Sequence, residues 1–282
     1  MSNLLLGVPN RVDGATLTGG AWRAGLPLAN LADGQFAKVA RSTDAALAST
    51  LFDSDLGAAR ALRIVALSNH NLGRYATWRV TLGSAPGGAD LHDSGWMPVW
   101  RMTLDNELLR WESPAWWVGT ASDEFIGAPF PAVYALPDWH SARYVRVELN
   151  DTTNAAGYVQ IGRAHICNAI QPLVNATYGL ADGWTDLSTS TRAESGARWF
   201  AARRRIRTVR FNLERTTLGE GDVLYELLRS AGTVGEVFYV PDPAEMAASQ
   251  RYGFAARLSQ LSALSYPRPA SRAIPFSLEE II

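Results

Sequence analysis

The chain has 282 residues, 47% of them hydrophobic and 19% charged, a balance that favours a folded protein of two domains over a disordered one. Its 26 basic and 27 acidic side chains leave a formal net charge of -1, so no overall field draws it to nucleic acid or to an anionic membrane. A single cysteine, Cys167, excludes an intrachain disulfide framework and a multi-cysteine zinc site, and is expected to be a small buried apolar residue. No stretch approaches the roughly 20 apolar residues of a membrane span, and Met1 to Val8 lacks the basic flank and apolar length of a signal peptide. No membrane insertion is expected, and synthesis is expected in the cytoplasm.

The opening is dense in turn residues, from Gly7 to Pro27. Leu62 to Leu67 (LRIVAL) then reads as a buried strand, and Thr77 to Leu82 (TWRVTL) alternates, with Trp78, Val80 and Leu82 on one face. Between Gly83 and Ser141 periodicity is lost, and this expected loop region carries Trp96, Trp100, Trp111, Trp116, Trp117 and Trp139. Arg143 to Leu149 (RYVRVEL) restores the alternation, and Tyr158 to Ile166 adds a run broken by Gly162. Short strands without intervening helices predict an antiparallel sandwich over residues 1–168.

After Ala169 the texture becomes polar, and a second, smaller domain is expected over 169–282. It opens with a strand from Ile206 to Leu213, in which Val209, Phe211 and Leu213 share a face. A helix over Glu220 to Arg229 follows, with apolar residues at 223, 224, 227 and 228, a Thr217/Glu220 capping box and a stop at Gly232. Glu236 to Val240, Tyr252 to Leu264 and Arg272 to Leu278 read as closing strands. The fold class is thus mainly β: an antiparallel sandwich followed by a β-rich domain with one flanking helix.

No nucleophile elbow, His-Glu-x-x-His, Walker A loop or complete dinucleotide fingerprint occurs, and the chain is expected to be no enzyme, with no catalytic residue and no cofactor. His70, His92, His140 and His165 lack metal-ligand spacing and are expected at turns or on the surface. Asp53 and Asp55 are expected to be ordinary turn formers. The densest charge feature is Arg203, Arg204, Arg205, Arg207 and Arg210. In a strand its members alternate between faces, and pairing between subunits is favoured over phosphate contact, so no specific nucleic-acid partner is expected.

Leu28 to Asp44 resembles the start of the discoidin, or coagulation factor 5/8 type C, family, through Asp33, Gly34 and Ser42, with Arg41 standing where that family usually has tryptophan. Phe52 to Leu72 is similar to the family's Asp-Leu-Gly turn and core strand, and Ala142 to Cys167 to its closing hairpin. The last pattern, with the Arg-rich extension and Leu-Glu-Glu tail, looks like a group of siphophage tail proteins. The resemblance implies a jelly-roll sandwich, a tail-tube-like second domain and a virion role at the tail tip or baseplate. The partners then expected are the chain itself, in a threefold or sixfold ring, other tail proteins, and host-surface saccharide. The alternative is a carbohydrate-binding module that targets a polysaccharide. Many discoidin-like domains hold a structural calcium where Asp33 and Gly34 stand; a metal-free turn is the expected state. For the tryptophans, core packing, a protein interface and saccharide contact all stay open.

Overall fold

The computed structural model describes residues 2–101, 111, 112, 116 and 130–282. The strands are β1 (Leu5–Asn10), β2 (Thr16–Thr18), β3 (Ala40–Arg41), β4 (Leu51–Ser68), β5 (Thr77–Gly83), β6 (His92–Asp93), β7 (Met97–Pro98), β8 (Ala132–Asn150), β9 (Gln160–Ile161) and β10 (Arg163–Ile170). They continue with β11 (Ala181–Asp186), β12 (Thr189–Arg192), β13 (Arg198–Ala201), β14 (Arg205–Thr216), β15 (Glu236–Val240), β16 (Phe254–Leu258), β17 (Ser265–Arg268) and β18 (Ser271–Glu280). The helices with described bounds are α1 (Leu218–Ala231) and α2 (Met246–Tyr252). One compact unit comprises Met1–Gln171 with Phe238–Phe254, and the other Pro172–Val237 with Ala255–Ile282.

The first unit is organised by the two long strands. β4 and β8 pair antiparallel along most of their length, with register shifts between Asp55 and Arg60 and between Leu62 and Ile64. There the in-out alternation fails: residues 57–61 are exposed, as are most of residues 137–141. Gly57, at φ +75°, takes the left-handed backbone that a side chain would resist. Each strand therefore serves two layers. One layer runs β2, β4, β8, β5, with β6 and β7 on β5. The other runs β8, β4, β10, β1, β15. Phe52, Trp78, Val80, Val145 and Val147 of the first layer and Leu62, Val65, Leu67, Tyr134 and Ile166 of the second form one apolar core. This is the expected antiparallel β-sandwich.

The second layer is buried on its other face too, by Ile64, Ala66, Val133 and Cys167, which is why LRIVAL is apolar from Ile64 onward rather than alternating. β15 lies against β1, with Leu5 opposite Val240 and Gly7 opposite Phe238. The pairing brings Phe238–Phe254 into the first unit, whereas the expected division at 168/169 placed that segment in the second. On the outer face of the first layer, Asp53 and Asp55 lie in a strand, and each accepts two bonds from a cross-strand arginine, Arg146 and Arg143 respectively; Asp55 also accepts from the Gly57 amide at 2.9 Å, as a turn aspartate does, whereas Asp53 departs from the turn expected. The exposed Arg143–Asp55 pair adds little stability, but both pairs mark the register.

In the second unit β14 pairs with β11 and β18, and β18 with β16 and β17. Phe211 and Phe276 face each other with ring centroids 5.3 Å apart, and Val209, Leu213, Ile274 and Leu278 complete that buried face. The capping box forms as expected: Thr217 accepts from the Glu220 amide and Glu220 returns to the Thr217 amide. The helix buries Gly221, Leu224, Leu227, Leu228 and Ala231, so the apolar stripe is one step round from the expected set and leaves Val223 exposed. Closeness to the sheet explains the shift, since a Cβ on Gly221 would lie 2.7 Å from the Arg272 side chain. The strand expected over Tyr252 to Leu264 is shorter: α2 runs through Tyr252, and β16 ends at Leu258.

Candidate functional site

The strongest constellation in the first unit joins loops far apart in sequence. β3 and β9 pair, with Ala40 opposite Ile161 and Arg41 opposite Gln160. The Arg23 amide donates to the Arg41 carbonyl at 2.9 Å, bringing the two arginines together. Both guanidinium groups lie over the Tyr158 ring, Arg41 at 4.3 Å and Arg23 at 5.8 Å from its centroid. Gln160 Oε1 accepts from Arg41 Nη2 at 2.7 Å and from Nε at 3.2 Å.

Behind this surface lies a polar lattice. The buried Ser42 hydroxyl accepts from the Val159 amide at 2.9 Å and donates to the Asp44 carbonyl at 2.6 Å. Asn71 accepts from the Gln160 amide at 2.7 Å and donates to the Tyr158 carbonyl at 3.0 Å. Asn154 bridges Asn71 and Asp151, and Asp151 also accepts from the Gly73 amide. The site residues are held by backbone and amide bonds before any ligand arrives, which lowers the entropic cost of binding. Arg23 and Arg41 have no carboxylate partner among the described residues, unlike Arg79, Arg143, Arg146 and Arg163 of the same unit. Two uncompensated guanidinium groups over a flat ring, with an amide beside them, suit a planar anion carried on a ring-shaped ligand.

Sequence reading found only the edge of this site, in Ser42 and in the arginine standing for the family's tryptophan. Arg23, Tyr158 and Gln160 were missed because Arg41 and Gln160 are 119 residues apart and only the closed sandwich joins them.

The described tryptophans differ in their surroundings. Trp100 packs against the core and donates to the Leu72 carbonyl at 3.1 Å. Trp139 lies within β8 rather than in a loop, under the Arg63 guanidinium at 4.8 Å, and donates to the Ala169 carbonyl. The strand escaped notice because Pro137 interrupts its alternation. Trp96 and Trp111 are exposed, Trp116 is half-buried, and Trp117 lies outside the described residues.

Of the arginine run, Arg203, Arg204 and Arg210 are exposed and Arg205 reaches Asp186 at 3.7 Å. Arg207 departs from the expectation of an intersubunit role. It is buried, and its backbone amide, Nε and Nη2 all bond Glu280. Asp33 spends its carboxylate within the chain, on Lys38 Nζ at 2.6 Å and the Gln35 amide at 2.9 Å, and the Lys38 bond holds its pKa below the usual value. That pair is exposed, with the side chains 51% and 34% accessible.

The histidines are not all at turns or on the surface. His165 is buried between Phe36 and Phe238 and bonds the Ser68 hydroxyl. Burial holds His70 at a pKa of about 4. The rings of His92 and His140 lie 4.7 Å apart, tilted by 42°, with the Tyr134 hydroxyl at 2.8 Å from His92 Nε2; among the described residues no group of three ligating side chains forms.

No protein-family model and no curated protein matches the sequence. Among solved structures the chain is similar to one titled "Crystal structure of SpGH29", at 12% identity and a TM-score of 0.37, covering 57% of this chain and 28% of that one. It is also similar to the lectin domain of lectinolysin complexed with Lewis B antigen, at 15% identity and 0.37, covering 58% and 99%. A third is the CBM32 of AlyQ in complex with 4,5-unsaturated mannuronic acid, at 19% identity and 0.35, covering 54% and 92%. The sandwich assignment rests on the strand order of the chain itself.

Proposed function

We propose that the chain is a non-enzymatic recognition protein whose sandwich binds an acidic saccharide through Arg23, Arg41, Tyr158 and Gln160. The observation that carries this reading is the pair of guanidinium groups over Tyr158 without a carboxylate partner among the described residues. A uronate carboxylate would take donors of Arg23 and the Arg41 Nη1 that Gln160 leaves open, with the arginines held in place by the Tyr158 ring beneath them. Hydrogen bonds to a charged group contribute about 1.5–3 kcal/mol each, so losing one contact weakens binding by roughly tenfold to a hundredfold. The test is calorimetric titration with uronic-acid oligosaccharides and with neutral oligosaccharides of equal length. Arg41→Ala and Tyr158→Ala should each lose at least tenfold for the acidic ligand with an unchanged near-ultraviolet spectrum. No binding by the wild type, or equal affinity for neutral sugar, overturns the reading.

A second reading is favoured by a different observation: from Leu173 through Arg205 no residue is buried, which points to a surface that meets other subunits. On this reading the chain is a structural component of a bacteriophage tail tip or baseplate, residing in the virion and built into a symmetric ring. Immunogold labelling of purified particles tests it, and particles that lack the chain would exclude it.

A further inference from the structure

A hairpin of the second unit runs on past its sheet. β11 and β14 pair as far as Asp186 opposite Arg205. The same two segments then continue as β12 and β13, which among the described residues pair only with each other, from Thr189 opposite Ala201 to Arg192 opposite Arg198. The Ser188 hydroxyl accepts from the Arg203 amide at 2.9 Å and joins the two ladders. Every residue of β12 and β13 is exposed, so both faces of this two-stranded ribbon meet solvent.

Alternation along the strands gives each side chain a face. Arg192, Arg198, Ser190 and Phe200 share one; Thr189, Thr191, Trp199 and Ala201 share the other. Directly opposite residues hold their Cβ atoms about 4.5–5.5 Å apart, and like charges so placed repel, which makes the pairing of Arg192 with Arg198 unfavourable until an anion joins it. Neither arginine has an ion pair among the described residues, whereas Arg205 reaches Asp186 and Arg207 pairs with Glu280. Phe200, 71% exposed, follows Arg198 by two residues, about 6.6 Å along the strand. One uronate residue, ring and carboxylate together, covers that distance.

We propose that this face of the ribbon is a second site for an acidic saccharide, with Phe200 under the sugar ring and Arg192 and Arg198 on its carboxylate. The ligand class rests on the reading of the first unit, where Arg23 and Arg41 are likewise guanidinium groups without a carboxylate partner among the described residues. An exposed aromatic ring gives the C–H face of a sugar a flat apolar partner, and two arginines take the anion by charge-assisted hydrogen bonds. Trp199 is as exposed as Phe200, at 72%, but lies on the face without arginines. A single strand of nucleic acid stacks on any accessible ring and follows a run of cations, so it would engage Trp199; a saccharide held by the arginine pair would not.

The test is calorimetric titration of the full chain with an oligosaccharide of glucuronic acid, which gives the number of sites as well as their affinities. The wild type should take two ligands per chain, Arg41→Ala one, and Arg192→Ser with Arg198→Ser one. In the Arg41→Ala background, Phe200→Ser should weaken the remaining site roughly tenfold and Trp199→Ser by less than about twofold. A wild type that takes one ligand, lost in Arg41→Ala and kept in the arginine double variant, overturns the proposal and leaves the first-unit reading standing. One ligand with the reverse pattern overturns the first-unit reading and supports the ribbon site. No binding at all overturns both. Equal losses from Trp199→Ser and Phe200→Ser, or tighter binding of a single-stranded oligonucleotide of equal charge to the Arg41→Ala chain, also overturn the proposal. The substituted ribbon residues are all exposed, so circular dichroism should match the wild type; should the double variant misfold, Arg198→Gln alone serves and must lose the second site.

Discussion

Replacing Glu280 by glutamine should destabilise the second unit by more than any surface change of the same size. Arg207 and Glu280 have side chains only 5% exposed, and the carboxylate accepts from Arg207 at three atoms, at 3.0, 3.1 and 2.8 Å. Glutamine preserves the volume but offers one acceptor oxygen instead of two. Its amide group turns N–H toward a donor, and the buried guanidinium loses the carboxylate that bonds it at three atoms. Removing one partner of a buried pair costs about 3–5 kcal/mol, a large fraction of a typical domain's roughly 5–15 kcal/mol. Replacing both, as Arg207→Met with Glu280→Leu, removes the charge and its partner together and should cost much less. The assay is amide hydrogen exchange under native conditions, comparing β14 and β18 with the first unit. Protection in those two strands should fall by two to four orders of magnitude in Glu280→Gln, recover in the double variant, and stay constant in β4 and β8. Unchanged protection in Glu280→Gln, or a double variant as damaged as the single one, would refute the argument.

Other expectations are as direct. Arg163 is fully buried and ties β10 to the Asp13 carboxylate at 2.5 Å and the Leu31 carbonyl at 3.4 Å, so Arg163→Ala should lower the first unit's stability by about 3–5 kcal/mol in urea titration; Arg163→Met, which keeps the packing, should lose less, and equal losses would contradict this. Burial places His70 at about 4 against 6.5 in the unfolded chain, so the unfolded state binds the extra proton. Stability from this site is then complete above pH 6.5 and falls as pH drops towards 4, by at most roughly 3 kcal/mol; His70→Asn should flatten that slope, and an unchanged slope would assign it elsewhere. Thr217→Ala removes the cap of α1 and should cost about 1 kcal/mol, read as a lowered thermal midpoint with no change in strand protection.

What the sequence makes legible is local. Alternation at Trp78, Val80 and Leu82 announces a half-buried strand, and Thr217 with Glu220 announces a helix start, because each signal lies within a few residues of what it specifies. The candidate site is of another kind. Tyr158 and Gln160 carry no local mark of function, and become a surface only when β9 meets β3 and when Asn71 and Asn154 tie the intervening loops. The bend of β4 and β8 is likewise hidden, since it depends on two long strands sharing their irregularity, while Pro137 alone looks like the end of a strand.

Arg207 sits between these cases. In β14 the inward positions are 209, 211 and 213, so parity already puts 207 on the core side while Arg210 faces out. In β18 the inward positions are 274, 276 and 278, and 280 continues them. A charged residue at one end of each apolar row looks like an error when the strands are taken singly. Once Val209 is set opposite Leu278 and Thr208 opposite Glu279 in an antiparallel pair, the next step brings 207 to 280, and the two offending charges become each other's partner. Register is the missing piece: it is fixed by the stacked Phe211 and Phe276 as much as by the ion pair. A design that kept those rings but moved either charge by one residue would leave an unpaired ion on the core side, and this is why an arginine-rich run cannot be read as a uniform patch.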